Sequence, residues 1–350
     1  MIASHAANIG KWTVCGAMIA AGWLPNFAVV VTGATVEAVR ILECGLEGER
    51  CPAVVSGVAM SADGQTIAAA GDDHTVRIWD AATGQLRLRL AGHSDWVRTV
   101  ALSPDGQTLA TGANDRTIGL WNASTGERLF ASPELSNVVA AISFHPNGQQ
   151  LAVVGFSNSL AIINTSSGQI TQQLECPSDD VRAVAFSRDG QRMAVAGRNG
   201  QIRLWNVATG ALERDIPSSR QRIRALGFSP DGTKLASAGE DVTIHVVDLT
   251  SGGRDVSFAA RPAKIYAAVF LTNESLATAG SDNRIRVWDV ASRAVTKELV
   301  GHTGSVAALA CDASGTKLVS GSYDTTLRIW ELEEDGPPPS VARLPGDAAR

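Results

Sequence analysis

The sequence repeats itself at a fixed interval. Asp-Gly or Asn-Gly pairs end at Gly64, Gly106, Gly148, Gly190 and Gly232, each 42 residues after the last. A second glycine series, Gly84, Gly126, Gly168, Gly210 and Gly252, keeps the same step. Between them, short apolar runs end in Trp79, Trp121, Trp205, Trp288 and Trp330. Ile163 and Val247 fill the two missing places in that column, and the steps along it are 42, 42, 42, 42, 41 and 42. Such a period restricts a 350-residue chain to an array of one supersecondary unit, each copy burying its faces against its neighbours.

Each unit reads as short strands. "VRTVALS" alternates apolar and polar residues, "PDG" turns the chain, "TLATG" follows, and the "AND" turn leads to "TIGLWN". After "STG" comes "ERLF", giving about four strands per unit. Runs of this length and period are too short for helices. One four-stranded sheet cannot bury both faces, whereas radial stacking of several covers them and leaves few open edges. The 34 glycines suit a chain with this many tight turns.

These units resemble the WD (Trp-Asp) repeat of β-propellers. Trp79-Asp80 and Trp288-Asp289 carry the signature pair, Trp121-Asn122 and Trp205-Asn206 vary it, and Trp330-Glu331 departs further. The resemblance covers about residues 50 to 332 and implies an all-β propeller of four-stranded blades. It also implies a hydrogen-bonded tetrad of His, Ser/Thr, Asp and Trp in each blade. Two repeats match that tetrad in full: His93, Thr111, Asp115 and Trp121, and His302, Ser320, Asp324 and Trp330. In such a set every buried polar group has a partner. Thr278, Asp282 and Trp288 lack the His, and Ser237 and Asp241 lack both His and Trp. The repeat at Ile163 has Val153 and Ser157 and keeps no tetrad residue, so it is expected to be the least polar-locked.

The N-terminal 48 residues admit two readings. "TVCGAMIAAGWLPNFAVVVTGATVEAV" lies without gaps over "SPDGQTLATGANDRTIGLWNASTGERL", with Gly16 on Gly106, Gly22 on Gly112 and Val31 on Trp121. On that register residues 1–48 form a degenerate repeat, 49–335 form seven clear repeats, and "SVARL" near the C-terminus supplies the last outer strand. The ring then has eight blades, occupies residues 1–346 as one domain, and leaves 347–350 as a frayed tail. The alternative has seven blades, the last completed by "VEAVRIL" from the N-terminal side, with the uncharged stretch 12–34 as a membrane anchor or signal. The gap-free register favours eight.

The chemistry-bearing residues point to binding. Lys and Arg total 30 against 35 Asp and Glu, a net charge of −5, which weighs against a nucleic-acid surface. The five Cys include no CxxC pair, no GxSxG nucleophile elbow occurs, and no phosphate-loop or metal spacing is present. No catalytic, cofactor or metal residue is therefore assigned, and the His, Ser/Thr and Asp of the tetrads read as blade locks rather than a hydrolase triad. His5, His74, His145 and His245 occupy unrelated positions and read as surface or turn residues. Cys44 and Cys51 could bridge a loop in an oxidising compartment, but free thiols are the simpler expectation.

Strand a should line the channel. Arg98, Arg182 and Arg224 share one of its columns, with Ser56, Ala140, Ile265 and Ala307 in the other repeats. Trp96 lies two residues before Arg98, and Arg222 matches it. Arg198, Glu240 and Tyr323 precede the tetrad Asp, or its replacement, in their b–c turns near the same rim. An exposed Trp beside Arg residues suits a protein-binding hot spot. Arg also pairs bidentately with carboxylate and phosphate, so acidic or phosphorylated peptides fit the column. The competing reading pairs these Arg residues locally with Asp95, Asp179 and Asp180. The expected function is a non-catalytic protein-interaction scaffold without cofactor, in the cytoplasm. The alternatives are a nucleic-acid or chromatin-associated module using the Arg column, or a membrane-anchored seven-bladed ring.

Overall fold

The structure, a computed structural model, describes residues 27–32, 35–43 and 53–332 apart from 177, 179, 251, 252, 261 and 262. Six consecutive units each form a four-stranded antiparallel sheet in simple meander order, and a seventh sheet has five strands. Blade 1 runs from its inner strand Val55–Met60 to its outer strand Leu86–Ala91. Blades 2 to 6 begin with Val97–Leu102, Val139–Phe144, Val181–Phe186, Ile223–Phe228 and Ile265–Phe270. Blade 7 begins with Val306–Cys311. Each inner strand touches the inner strand of the next blade, and that of blade 7 touches that of blade 1, so the ring is closed.

Burial follows position in the blade. The second strand of every blade is almost wholly buried; Thr66–Gly71, Thr108–Ala113 and Lys234–Gly239 all show the same pattern. One large residue, such as Ile67, Leu109 or Leu235, fills the second position, and Ala, Ser, Thr and Gly recur after it because both faces of this strand press on adjacent blades. Outer strands such as Ile170–Glu175 are mostly exposed. Gly64, Gly106, Gly148, Gly190 and Gly232 have φ between 66° and 72°, a left-handed conformation in the turn between first and second strands. That conformation explains why glycine recurs at this position.

The ring has seven blades, not eight. Thr35–Glu43 pairs antiparallel with Thr326–Glu331, Val39 opposite Trp330 and Leu42 opposite Leu327, and so fills the outer place of blade 7. Phe27–Thr32 then pairs back on Thr35–Glu43 as a fifth strand. Val31, aligned with the Trp column on the eight-blade register, instead pairs with Val36 in this hairpin. The gap-free alignment matched one strand–turn–strand pattern of small apolar residues to another, and such patterns carry little information about register. Closure is cemented by Leu42, 5% exposed, which packs with Val55, Ile67, Trp79 and Ile329. Arg40 adds a tie to blade 1 through the carbonyl of Ala81 at 3.0 Å.

Six residues of the 12–34 stretch, 27–32, are thus strand; its remainder, the "SVARL" segment, Cys44 and Cys51 lie outside the described residues. Among the described residues no helix is long and apolar enough to cross a membrane.

Candidate protein-interaction face

A backbone irregularity recurs in all seven blades and builds the site. The pairing between first and second strands slips at the second residue of the inner strand, between Val97 and Thr99, Val181 and Ala183, and Ile223 and Ala225 for example. The skipped residue is a β-bulge, unpaired in the ladder and re-aimed by the local twist. In chain order the skipped residues are Ser56, Arg98, Ala140, Arg182, Arg224, Tyr266 and Ala307. All seven line a cavity of about 240 Å³ at one end of the channel, together with Trp96 and Tyr323.

Blade 6 therefore contributes Tyr266 to the column, not Ile265. Ile265 pairs with Gly280 and is buried at 3% exposure. The one-residue shortening that makes the 41-residue step falls after this strand, in the turn between Phe270 and Leu276, which pair with each other as Phe228 pairs with Leu235. The inner strand itself stays in step with the preceding blades.

The arginines divide into two groups. Arg182 Nε donates to Asp180 at 2.5 Å, and Arg222 bridges Asp180 at 3.0 Å and Glu240 at 3.1 Å. Arg224 pairs with Glu240 at 2.7 Å. Burial alone would raise the Glu240 pKa, but hydrogen bonds and charge from Arg224 and Arg222 bring it below the usual carboxylate value. Arg98 stands apart. Its Nε donates to the Asn114 side-chain carbonyl, and it has no carboxylate partner among the described residues. Its guanidinium lies 4.6 Å from the Trp96 ring centre and 5.2 Å from that of Phe156. Burial, and then the charge of Arg182, lower its pKa from the usual guanidinium value. Arg182 lies 3.9 Å from the same Phe156 ring.

The other candidates fall around this centre. Tyr323 is 47% exposed on the rim. Trp96 is half-buried rather than free, and its indole N–H is inaccessible and lacks an acceptor. The Arg198 side chain is exposed, and only its backbone N–H joins the network, to the Asp180 carbonyl at 3.0 Å. Phe156 and Asn114 escaped the sequence reading. Both sit 42 residues apart in the column of Arg198 and Glu240, so that column held the signal.

Both complete tetrads assemble. His93 bonds Asp115 at 2.9 Å and Thr111 at 2.7 Å, and Trp121 donates to Thr111 at 3.0 Å. His302 bonds Asp324 and Ser320, each at 2.8 Å, and Trp330 donates to Ser320 at 2.9 Å. Burial lowers the pKa of both imidazoles despite the neighbouring carboxylates. In blade 3, Leu135, Val153 and Ile163 form an apolar contact region instead. In blade 5, His245 is not a plain surface residue: it reaches Asp241 and Ser257, each at 2.9 Å. Among the described residues no group of three His, Cys, Asp or Glu is placed to hold a metal.

A profile described as IFT122 first beta-propeller matches residues 54–251, more than half of the chain. One described as WD domain, G-beta repeat matches 257–289 and 293–331. The chain belongs to the WD-repeat β-propeller family. Its similarities to individual proteins are partial. It is 34% identical over 95 residues to Ribosome biogenesis protein YTM1 of Chaetomium globosum, covering 25% of this chain and 20% of that protein. It is 42% identical over 65 residues to Nuclear distribution protein PAC1 of Tuber melanosporum (19% and 14%). It is 40% identical over 68 residues to Autophagy-related protein 16 of Arabidopsis thaliana (19% and 13%). The matches span a fifth or less of these relatives.

Proposed function

We propose that protein partners dock on the end of the ring that carries the Arg98 bulge column, and that the docking segment is acidic or phosphorylated. One observation carries this reading: Arg98 is held between two aromatic rings and has no carboxylate partner among the described residues. Around it Arg182, Arg222 and Arg224 contact only two carboxylates, Asp180 and Glu240. The rim is therefore locally cationic although the chain as a whole carries a charge of −5. An anionic side chain entering the mouth would meet the terminal nitrogens of Arg98 in a charge-assisted pair. Aromatic walls supply contact area at low entropic cost, as hot spots require. The relatives' names span ribosome biogenesis, nuclear distribution and autophagy, which supports a shared binding platform rather than one shared partner.

The test is an array of acidic, phosphoserine and basic peptides probed with wild type and Arg98→Ala. Binders among the first two classes should weaken by about 1.5–3 kcal/mol in the variant. Preference for the basic class, or equal binding by both proteins, would overturn the reading.

A further inference from the structure

The opposite end of the channel holds a larger cavity, about 480 Å³, that the partner-binding reading does not use. Its lining includes the last residue of each inner strand. Phe144, Phe186, Phe228 and Phe270 take that place in four successive blades, with Met60 and Leu102 before them and Cys311 after. The volume is about three times that of the roughly 150 Å³ apolar cavity known to admit benzene. It lies within the usual range for small-molecule sites.

The entrance is built from the turns that follow these strands. Ala62, Pro104, Pro146, Pro230 and Ala313 line it at matching positions, and blade 4 alone places a cation there, Arg188. The Arg188 guanidinium reaches across the opening to the backbone carbonyl of Ala313 in blade 7, a long contact of 3.4 Å. No carboxylate pairs with it among the described residues. The nearby Asp312 carboxylate is engaged by Ser314, Thr316 and the Lys317 backbone N–H. One end of the chamber is therefore a cation in reach of water, and the interior is mainly apolar, with Ser103, Ser143, Ser187 and Ser229 among its lining.

We propose that this chamber binds a small amphipathic carboxylate, its apolar body within the circle of inner-strand ends and its anionic head on Arg188. Walls contributed by all seven blades exclude a folded surface, so the occupant is a slender molecule. Apolar burial supplies the attraction and the guanidinium fixes which end stays outside. The site is independent of the Arg98 mouth.

Octanoate and octan-1-ol are titrated separately into the full chain by calorimetry. Wild type should bind octanoate at one site. Arg188→Ala, a change at an exposed turn position, should weaken octanoate about fivefold, the upper range for an exposed ion pair, and alter octanol less than twofold. Cys311→Phe adds a fifth ring in a column that already holds four and should abolish both, with melting temperature confirming the fold. Should that variant not fold, the Arg188→Ala comparison decides alone. No saturable octanoate binding, equal binding by folded Cys311→Phe, or equal weakening of both ligands in Arg188→Ala would each overturn the proposal.

Discussion

Ser320→Ala removes one oxygen from a site where two other groups depend on it. Ser320 Oγ accepts the Trp330 indole N–H at 2.9 Å and donates to His302 Nε2 at 2.8 Å. Ser320 is 0% exposed, Trp330 1% and His302 6%, so water cannot replace the lost partner. Each unsatisfied buried group costs about 1–3 kcal/mol, and two of them give about 2–6 kcal/mol. Ser157→Ala in blade 3 is the control. There the hydroxyl is half-buried and meets only Ser159, at 3.2 Å and at 3.4 Å through that residue's N–H, so the loss should stay below about 0.5 kcal/mol. Guanidinium denaturation gives both values from midpoints at unchanged slope. Trp330→Phe removes the N–H itself, so the double variant should cost less than the sum of the singles by about 1 kcal/mol. Equal losses for Ser320→Ala and Ser157→Ala, or strict additivity in the cycle, would refute the claim that this oxygen locks the blade.

Further outcomes follow from the same contacts. Trp121→Ala should lose about 3–5 kcal/mol, whereas Trp96→Ala, outside any tetrad, should keep nearly the wild-type melting temperature; equal losses would make Trp96 a core residue. Leu42→Ala, in the N-terminal strand that closes blade 7, should lose about 2–5 kcal/mol; a loss within about 0.5 kcal/mol would contradict that closure. Burial holds His93 and His302 below the ordinary imidazole pKa, so the unfolded chain takes up their protons first. Their stability contribution is complete above about pH 6.5 and is lost as pH falls from there. Burial is the largest single influence on Asp115 and Asp324 and acts to raise them, but their hydrogen bonds and charge partners together lower them, adding a second loss below about pH 4. Melting temperature should therefore fall between pH 7.5 and pH 5 and fall again below pH 4; a flat profile would contradict the assignment.

The repeat, its strands and both tetrads were legible because turns and caps are local. Glycine at a left-handed turn and Trp at the end of a third strand leave marks in fixed columns. The blade count was not legible, because closure joins Thr35–Glu43 to Thr326–Glu331 across nearly the whole chain. The seven-blade alternative did name "VEAVRIL", within Thr35–Glu43, as completing the last blade, but the gap-free register was preferred over it. The Arg column was visible, but not what it does. A bulge at its second residue aims each side chain inward, and sequence spacing does not reveal a ladder slip. Local pairing also divided the column. Asp180 and Glu240 take up Arg182, Arg222 and Arg224, which leaves Arg98 as the residue suited to a partner. A one-residue deletion in the turn after Phe270, rather than before Ile265, shifted that column from Tyr266 to Ile265 in the sequence reading.

Affinity capture with mass spectrometry, on wild type and an Arg98→Ala variant matched in melting temperature, tests the central claim most directly. The account predicts a protein set held by wild type and lost from the variant. An identical set on both would contradict docking at the Arg98 mouth.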